Sequence, residues 1–194
     1  MSGQPADSSV RLPLLGTAAG DSPGISHLEE EIVGLFDQFR DPLLRYLLSI
    51  GLPVQEGEEV VQEVFLALFQ HLLKGKSRRN LRGWVFKVAH NLGLKQRYAS
   101  QRNAESLSGP REAPGEDRIV DPAPTPEDQI ARNQRQARLL AVLKALPEQD
   151  QRCLCLRAEG LRYREIAEVL GMSLGAVSLS LSRSLARLGR ADVR

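Results

Sequence analysis

A chain of 194 residues suits one large domain or two small ones. With 42% apolar and 26% charged residues it has the composition of a soluble globular protein, and it contains no apolar run near the roughly 18 residues of a membrane span. The net charge of +2 says little as a total, because the charges are segregated. Residues 74–102 carry nine cations and no acid, and residues 55–73 carry four acids and no Lys or Arg. That asymmetry points to a nucleic-acid face beside a face for a basic protein partner.

Residues 1–24 lack the basic-then-apolar order of a signal peptide. Their Gly, Pro, Ser, Ala and Asp content predicts a disordered arm. No alternating run or Asn-Gly hairpin signal follows, and apolar residues recur at helical spacing almost throughout, which predicts an all-α fold. A first helix begins near Ser26, with Leu28, Ile32, Leu35, Phe36 and Phe39 on one stripe. Asp41 and Pro42 either continue it or restart it, and Leu43, Leu44, Leu47 and Leu48 extend its apolar face. After Gly51-Leu52-Pro53 a second helix spans about 55–74. Val60, Val61, Val64, Phe65, Leu68 and Leu72 form its buried side, and Glu56, Glu59, Gln62 and Glu63 the other.

A short basic loop leads to Asn80, a plausible cap for a third helix over about 81–102. Leu81, Trp84, Val85, Val88 and Leu92 form its buried stripe, so Trp84 reads as core rather than as a base-stacking platform. Cations with Asn91, Gln96 and His90 lie mostly away from that stripe, and such side chains can bond base edges as well as phosphates. Between 103 and 128, prolines, Gly109, Gly115 and excess acid predict an extended linker. Thr125-Pro126-Glu127-Asp128 then resembles a capping box opening a helix with Ile130, Leu139, Leu140, Val142, Leu143 and Leu146. Pro147-Glu148 starts the next helix and Gly160 stops it.

Helices over about 163–170 and 174–188, with Gly171 between them and Ser173 as a cap, have the helix-turn-helix layout. Ile166, Ala167 and Leu170 pack the first, Gly171 allows the left-handed turn, and Val177 and Leu181 anchor the second. Cys153 and Cys155 stand two apart, so on a helix they point to different sides. They read as buried thiols rather than a disulfide or a zinc site. His27, His71 and His90 lack a paired carboxylate or nucleophile, so no catalytic residues and no metal site are expected, and no cofactor.

The chain resembles the extracytoplasmic-function sigma factors. The residues that carry the likeness are Val61-Gln-Glu-Val-Phe-Leu66, Gly83-Trp-Val-Phe-Lys-Val-Ala-His-Asn91, Ala145-Leu-Pro-Glu-Gln149 and Glu165-Ile-Ala-Glu-Val-Leu-Gly171. The resemblance implies two small helical domains, a region 2 bundle at 25–102 and a region 4 helix-turn-helix domain at 129–194, joined by a flexible linker at 103–128. It implies a core RNA polymerase partner, whose clamp meets Glu56, Glu59, Gln62 and Glu63 and whose flap meets region 4. It implies a −10 surface for melted promoter DNA at Arg78, Arg79, Asn80, Lys87, His90, Asn91, Lys95 and Arg97. Duplex DNA at the −35 element would meet Ser173, Gly175, Ala176, Ser178, Ser180, Arg183 and Arg187. An anti-sigma factor is a further expected partner, and the cytoplasm the expected compartment.

Two departures stand out. Family members carry Lys or Arg in the middle of the last helix, where this chain has Ala176-Val-Ser-Leu-Ser180, so base reading at the −35 element is expected to be weak or altered. The clamp helix opens with Glu56-Gly-Glu-Glu59 in place of an Asp-Ala-Glu-Asp-like run, with its acidity kept. The alternatives are a helix-turn-helix regulator that works without polymerase and a helical adaptor that binds only protein. The switch from acid to base near residue 73 favours the sigma reading, because it sets a protein dock beside a single-strand surface.

Overall fold

The computed structural model describes residues 23–106 and 126–192. Residues 1–22 of the expected arm and 107–125 of the expected linker lie outside those residues, Thr125 of the expected capping box among them; Pro23 and Gly24, expected in the arm, begin the first helix, and residues 103–106 and 126–128, expected in the linker, lie in the third and fourth helices. Every regular element described is an α-helix: α1 Pro23–Ser49, α2 Val54–Leu73, α3 Leu81–Ser106, α4 Pro126–Lys144, α5 Glu148–Ala158, α6 Tyr163–Leu170 and α7 Leu174–Asp192.

Helices α1, α2 and α3 pack on one another as a bundle. Pro42 sits inside α1 and does not end it, so the chain continues through Asp41-Pro42 as one helix. Leu43, Tyr46, Leu47, Val64, Leu68, Val85, Phe86 and Ala89 are fully enclosed. Phe36 meets Phe65 edge-on at 4.9 Å, which fixes the packing of α1 on α2. A Cβ on Gly57 would stand 2.9 Å from Leu44 Cδ1. The glycine in the Glu56-Gly-Glu-Glu59 departure thus sits against the Leu44 side chain where α2 meets α1.

Helices α4–α7 form the second unit, with α7 packed against α4, α5 and α6 around Leu156, Leu161, Ile166, Val177 and Leu181. The two units touch: α6 lies against α3 and α5 against α1, and their apolar residues join in one core. Both of the expected small helical units are present, and among the described residues they pack against each other.

Candidate nucleic-acid and polymerase interface

Seven residues separate α2 from α3, and local bonds shape that loop. His71 Nε2 donates to the Ser77 carbonyl at 3.1 Å, and its ring lies 4.6 Å from that of Trp84. Trp84 thus braces the loop from the core side. Arg78 clasps Glu31 of α1 through Nε and Nη2, each at 3.1 Å at closest. The guanidinium holds that carboxyl below its usual range. Asn80 Oδ1 accepts the Gly83 amide at 3.2 Å, so Asn80 caps α3 as expected, from a left-handed φ of 56° that asparagine tolerates.

On α3 the expected −10 residues divide. Lys87, Asn91 and Lys95 are exposed and, at successive steps of four, form one stripe. Arg79 is exposed in the loop beside them. Tyr98 is 59% exposed and continues the stripe; sequence reasoning misses it, although its spacing from Asn91 and Lys95 places it there. His90 corrects the expectation. It is 6% exposed, and its Nδ1 meets the Tyr46 hydroxyl at 2.7 Å. Burial pushes the Tyr46 phenol up, so it keeps its proton, and the two side chains share this one hydrogen bond. Burial first, and Arg152 second, lower His90 to about 4. His90 is a neutral core residue, because residue 90 lies one turn beyond Phe86 on the buried side. Arg97 is also drawn inward, donating to the Ile50 carbonyl at 3.0 Å and to Glu148 of α5.

On α2, Glu59, Gln62 and Glu63 are exposed together as expected. Glu56 departs from them: it accepts the Ser100 hydroxyl of α3 at 2.8 Å and is half-buried. Four residues before Val60, it falls on the edge of the apolar side. Leu66 at 60% exposure and Leu73 at 57% join the acidic strip at helical spacing. The sequence carries a signal for both, since neither falls on the buried 60–61–64–65–68–72 register.

The α6–α7 pair has the expected layout. The helices meet at 107°, within the range of helix-turn-helix units. Gly171 has φ +65° and donates back to Ala167, closing α6. Ser173 Oγ accepts the Ala176 amide at 3.2 Å and caps α7. Gly175, Ala176, Ser178, Leu179 and Ser182 are exposed along α7, with Arg183 and Arg187 further on. Ser180 does not belong there. It is 1% exposed and donates to Asp150 of α5 at 2.7 Å. Arg183 reaches the same carboxylate at 3.2 Å, so one of the two expected phosphate cations is partly engaged within the fold. Residues 177, 180, 181 and 184 share one helical face, and that register, rather than the polarity of serine, decides where Ser180 points. Beside this unit an apolar groove of about 830 Å³ runs between α4, α5 and α7, lined by Leu139, Leu140, Leu143, Leu154, Leu185 and Leu188.

Cys153 and Cys155 are free, and burial pushes both thiols up. Among the described residues no cluster suited to a metal ion occurs, and no single helix is long and apolar enough to cross a membrane.

Comparison with known proteins bears on this arrangement directly. Sigma-70 region 2 matches residues 35–103, and sigma-70 region 4 matches residues 136–188. The RNA polymerase sigma factor CnrH of Cupriavidus metallidurans is 30% identical over 72% of this chain and 75% of its own length. The ECF RNA polymerase sigma factor ShbA of Streptomyces griseus subsp. griseus is 34% identical over 68% of this chain and 69% of its own. The chain belongs to the extracytoplasmic-function sigma factors of the sigma-70 family. Sigma factors of this family direct transcription initiation by RNA polymerase, and the alternative of a polymerase-independent regulator is not favoured. A longer relative, the probable RNA polymerase sigma factor RfaY of Xanthomonas campestris pv. campestris, is 29% identical over 72% of this chain, and this sigma factor spans 34% of that protein. Its fold is also that of the sigma factor RpoE solved with the anti-sigma factor NepR from Bartonella quintana, with a TM-score of 0.60 at 17% identity over 81% of this chain and 96% of that one.

Proposed function

We propose that this sigma factor divides its work between units at 25–102 and 129–194. In this reading the exposed strip Glu59, Gln62, Glu63 and Leu66 of α2 docks on the clamp of core RNA polymerase, acid meeting basic partner around an apolar centre. The loop after α2 and the stripe Lys87, Asn91 and Lys95, with Arg79 and Tyr98, hold the melted −10 strand. The exposed side of α7 enters the major groove at the −35 element, and the apolar groove between α4, α5 and α7 takes a helix of the polymerase flap. The chain itself carries out no catalysis and works in the cytoplasm. Because RpoE of Bartonella quintana was solved with an anti-sigma factor, and CnrH with the cytosolic domain of CnrY, an inhibitory partner of the same kind is part of the proposal.

The observation that supports this reading is that α2, which exposes Glu59, Gln62, Glu63 and Leu66, packs against α3, which exposes Lys87, Asn91 and Lys95. Lysines on phosphates contribute a sequence-independent, salt-sensitive attraction. Replacing both Lys87 and Lys95 by Ala should weaken binding of single strands of every sequence and flatten the salt dependence by about 0.7 for each phosphate no longer neutralised. Replacing Asn91 should instead change which bases are preferred. Equal promoter opening by the double variant and the parent would reject the surface.

A further inference from the structure

Three large apolar side chains stand out from α7. Leu174 is 53% exposed, Leu179 57% and Leu185 55%. Leu185 lines the apolar groove against α4 and α5, and the other two do not. Val177, Ser180, Leu181 and Ser184 are buried and mark the face of α7 turned to the rest of its unit. With 3.6 residues per turn, Leu179 lies about 150° round the helix from the middle of that face, and Leu174 about 70°. Leu179 is therefore the large side chain at the centre of the outward face. Gly175 stands one turn before it, Ser178 beside it, and Ser182 and Arg183 one turn after it, all exposed.

On a helix whose outward face enters the major groove, this placement sets Leu179 against base edges. Guanine presents N7 and O6 there, adenine N7 and its amino group, and cytosine its amino group. Of the four bases, thymine alone adds an apolar group, the C5 methyl. A leucine pressed against a polar edge strips water from it and returns no hydrogen bond. Against the methyl, two apolar surfaces leave water together. Ser178 and Ser182 do not offset this preference, since a hydroxyl bonds donors and acceptors alike. Arg183, the one cation in this neighbourhood that could fork a guanine, reaches Asp150 of α5 at 3.2 Å instead.

We infer that Leu179 is a specificity-determining residue, which selects thymine in the −35 element by contact with the C5 methyl. The inference rests on the reading of α7 as the helix that enters the groove at that element, and adds to it the base and the atom. One methyl discriminates less than a bidentate fork, so the element stays tolerant of single changes.

The test removes the methyl and nothing else. Core RNA polymerase loaded with the full chain selects from duplexes randomised across the −35 segment and fixed elsewhere. The recovered duplexes should be enriched in thymine, on either strand, at one position. Deoxyuridine in place of that thymine should weaken retention roughly fourfold, the effect of one methyl no longer taken out of water. The Leu179→Ala variant should hold the thymine and uracil duplexes equally well, with an unchanged melting temperature because the side chain is exposed. A selection without thymine preference, uracil as good as thymine throughout the segment, or the same uracil penalty in Leu179→Ala would each overturn the inference. A duplex cut back to remove the −35 segment separates this from failure of the underlying reading. If the cut weakens retention while uracil does not, the thymine assignment alone falls. If the cut changes nothing, α7 does not work at a −35 element and both fall.

Discussion

The buried polar residues set terms that single substitutions can read. His90 and Tyr46 satisfy each other in an apolar setting, and the imidazole holds out against protonation until about pH 4. In the unfolded chain His90 would take its proton near the ordinary value of 6.5. Between those limits the unfolded state binds more protons than the folded one, so stability is full above pH 6.5 and falls as the pH drops towards 4. At pH 5 the loss attributable to His90 is about 2 kcal/mol. Denaturant titrations at pH 7.5 and pH 5 should show it, and His90→Gln, which keeps a polar partner for Tyr46 without a titrating ring, should lack it. Identical pH dependence in the two proteins would mean that His90 is not the group responsible.

At the scale of elements, α2 makes two neighbouring residues opposite in role. Phe65 is enclosed against Phe36, and Leu66 beside it points outward. Phe65→Ala should cost about 3–5 kcal/mol of stability, as truncations of buried aromatics do. Leu66→Asp should leave stability nearly unchanged and weaken binding to core polymerase, as should Glu59→Lys/Glu63→Lys, while the far-UV helix signal stays intact. Unaltered affinity in these exposed variants would remove α2 from the interface.

The last helix supports a prediction about promoters. A cation bidentate to a guanine edge contributes about 1–3 kcal/mol of discrimination at that base pair. The exposed middle of α7 offers Gly175, Ser178, Leu179 and Ser182, and none of these can bond a guanine that way. Ser180 is spent on Asp150. Transcription should therefore tolerate single −35 substitutions better than single −10 substitutions in a promoter library scored in vitro. Equal damage from the two kinds of change would show that α7 reads bases by means other than side-chain forks.

These elements also show what a reader of the sequence can and cannot see. Among the described residues apolar periodicity locates the seven helices within a few residues, since the register that buries Val60, Val64 and Leu68 is a local property of the chain. Caps at Asn80 and Ser173 and the turn at Gly171 are equally local. Residue type misleads where it competes with register: Glu56, His90 and Ser180 look outward-facing as polar residues, register turns each inward, and a partner on another helix satisfies it there. The pairing of Arg45 with Glu159 spans 114 positions, and nothing in the residues near either one announces it.

For the whole molecule, the two helical units pack against each other, α6 on α3 and α5 on α1. The central claim is that the chain gives core RNA polymerase its promoter specificity. It is tested most directly by mixing the purified protein with core enzyme and a promoter library, then sequencing the 5′ ends of the transcripts. The account predicts starts at a fixed distance downstream of one shared −10 element, with a looser −35 element upstream, and loss of these transcripts with Glu59→Lys/Glu63→Lys. Core enzyme that neither retains the protein nor gains any defined start site would contradict it.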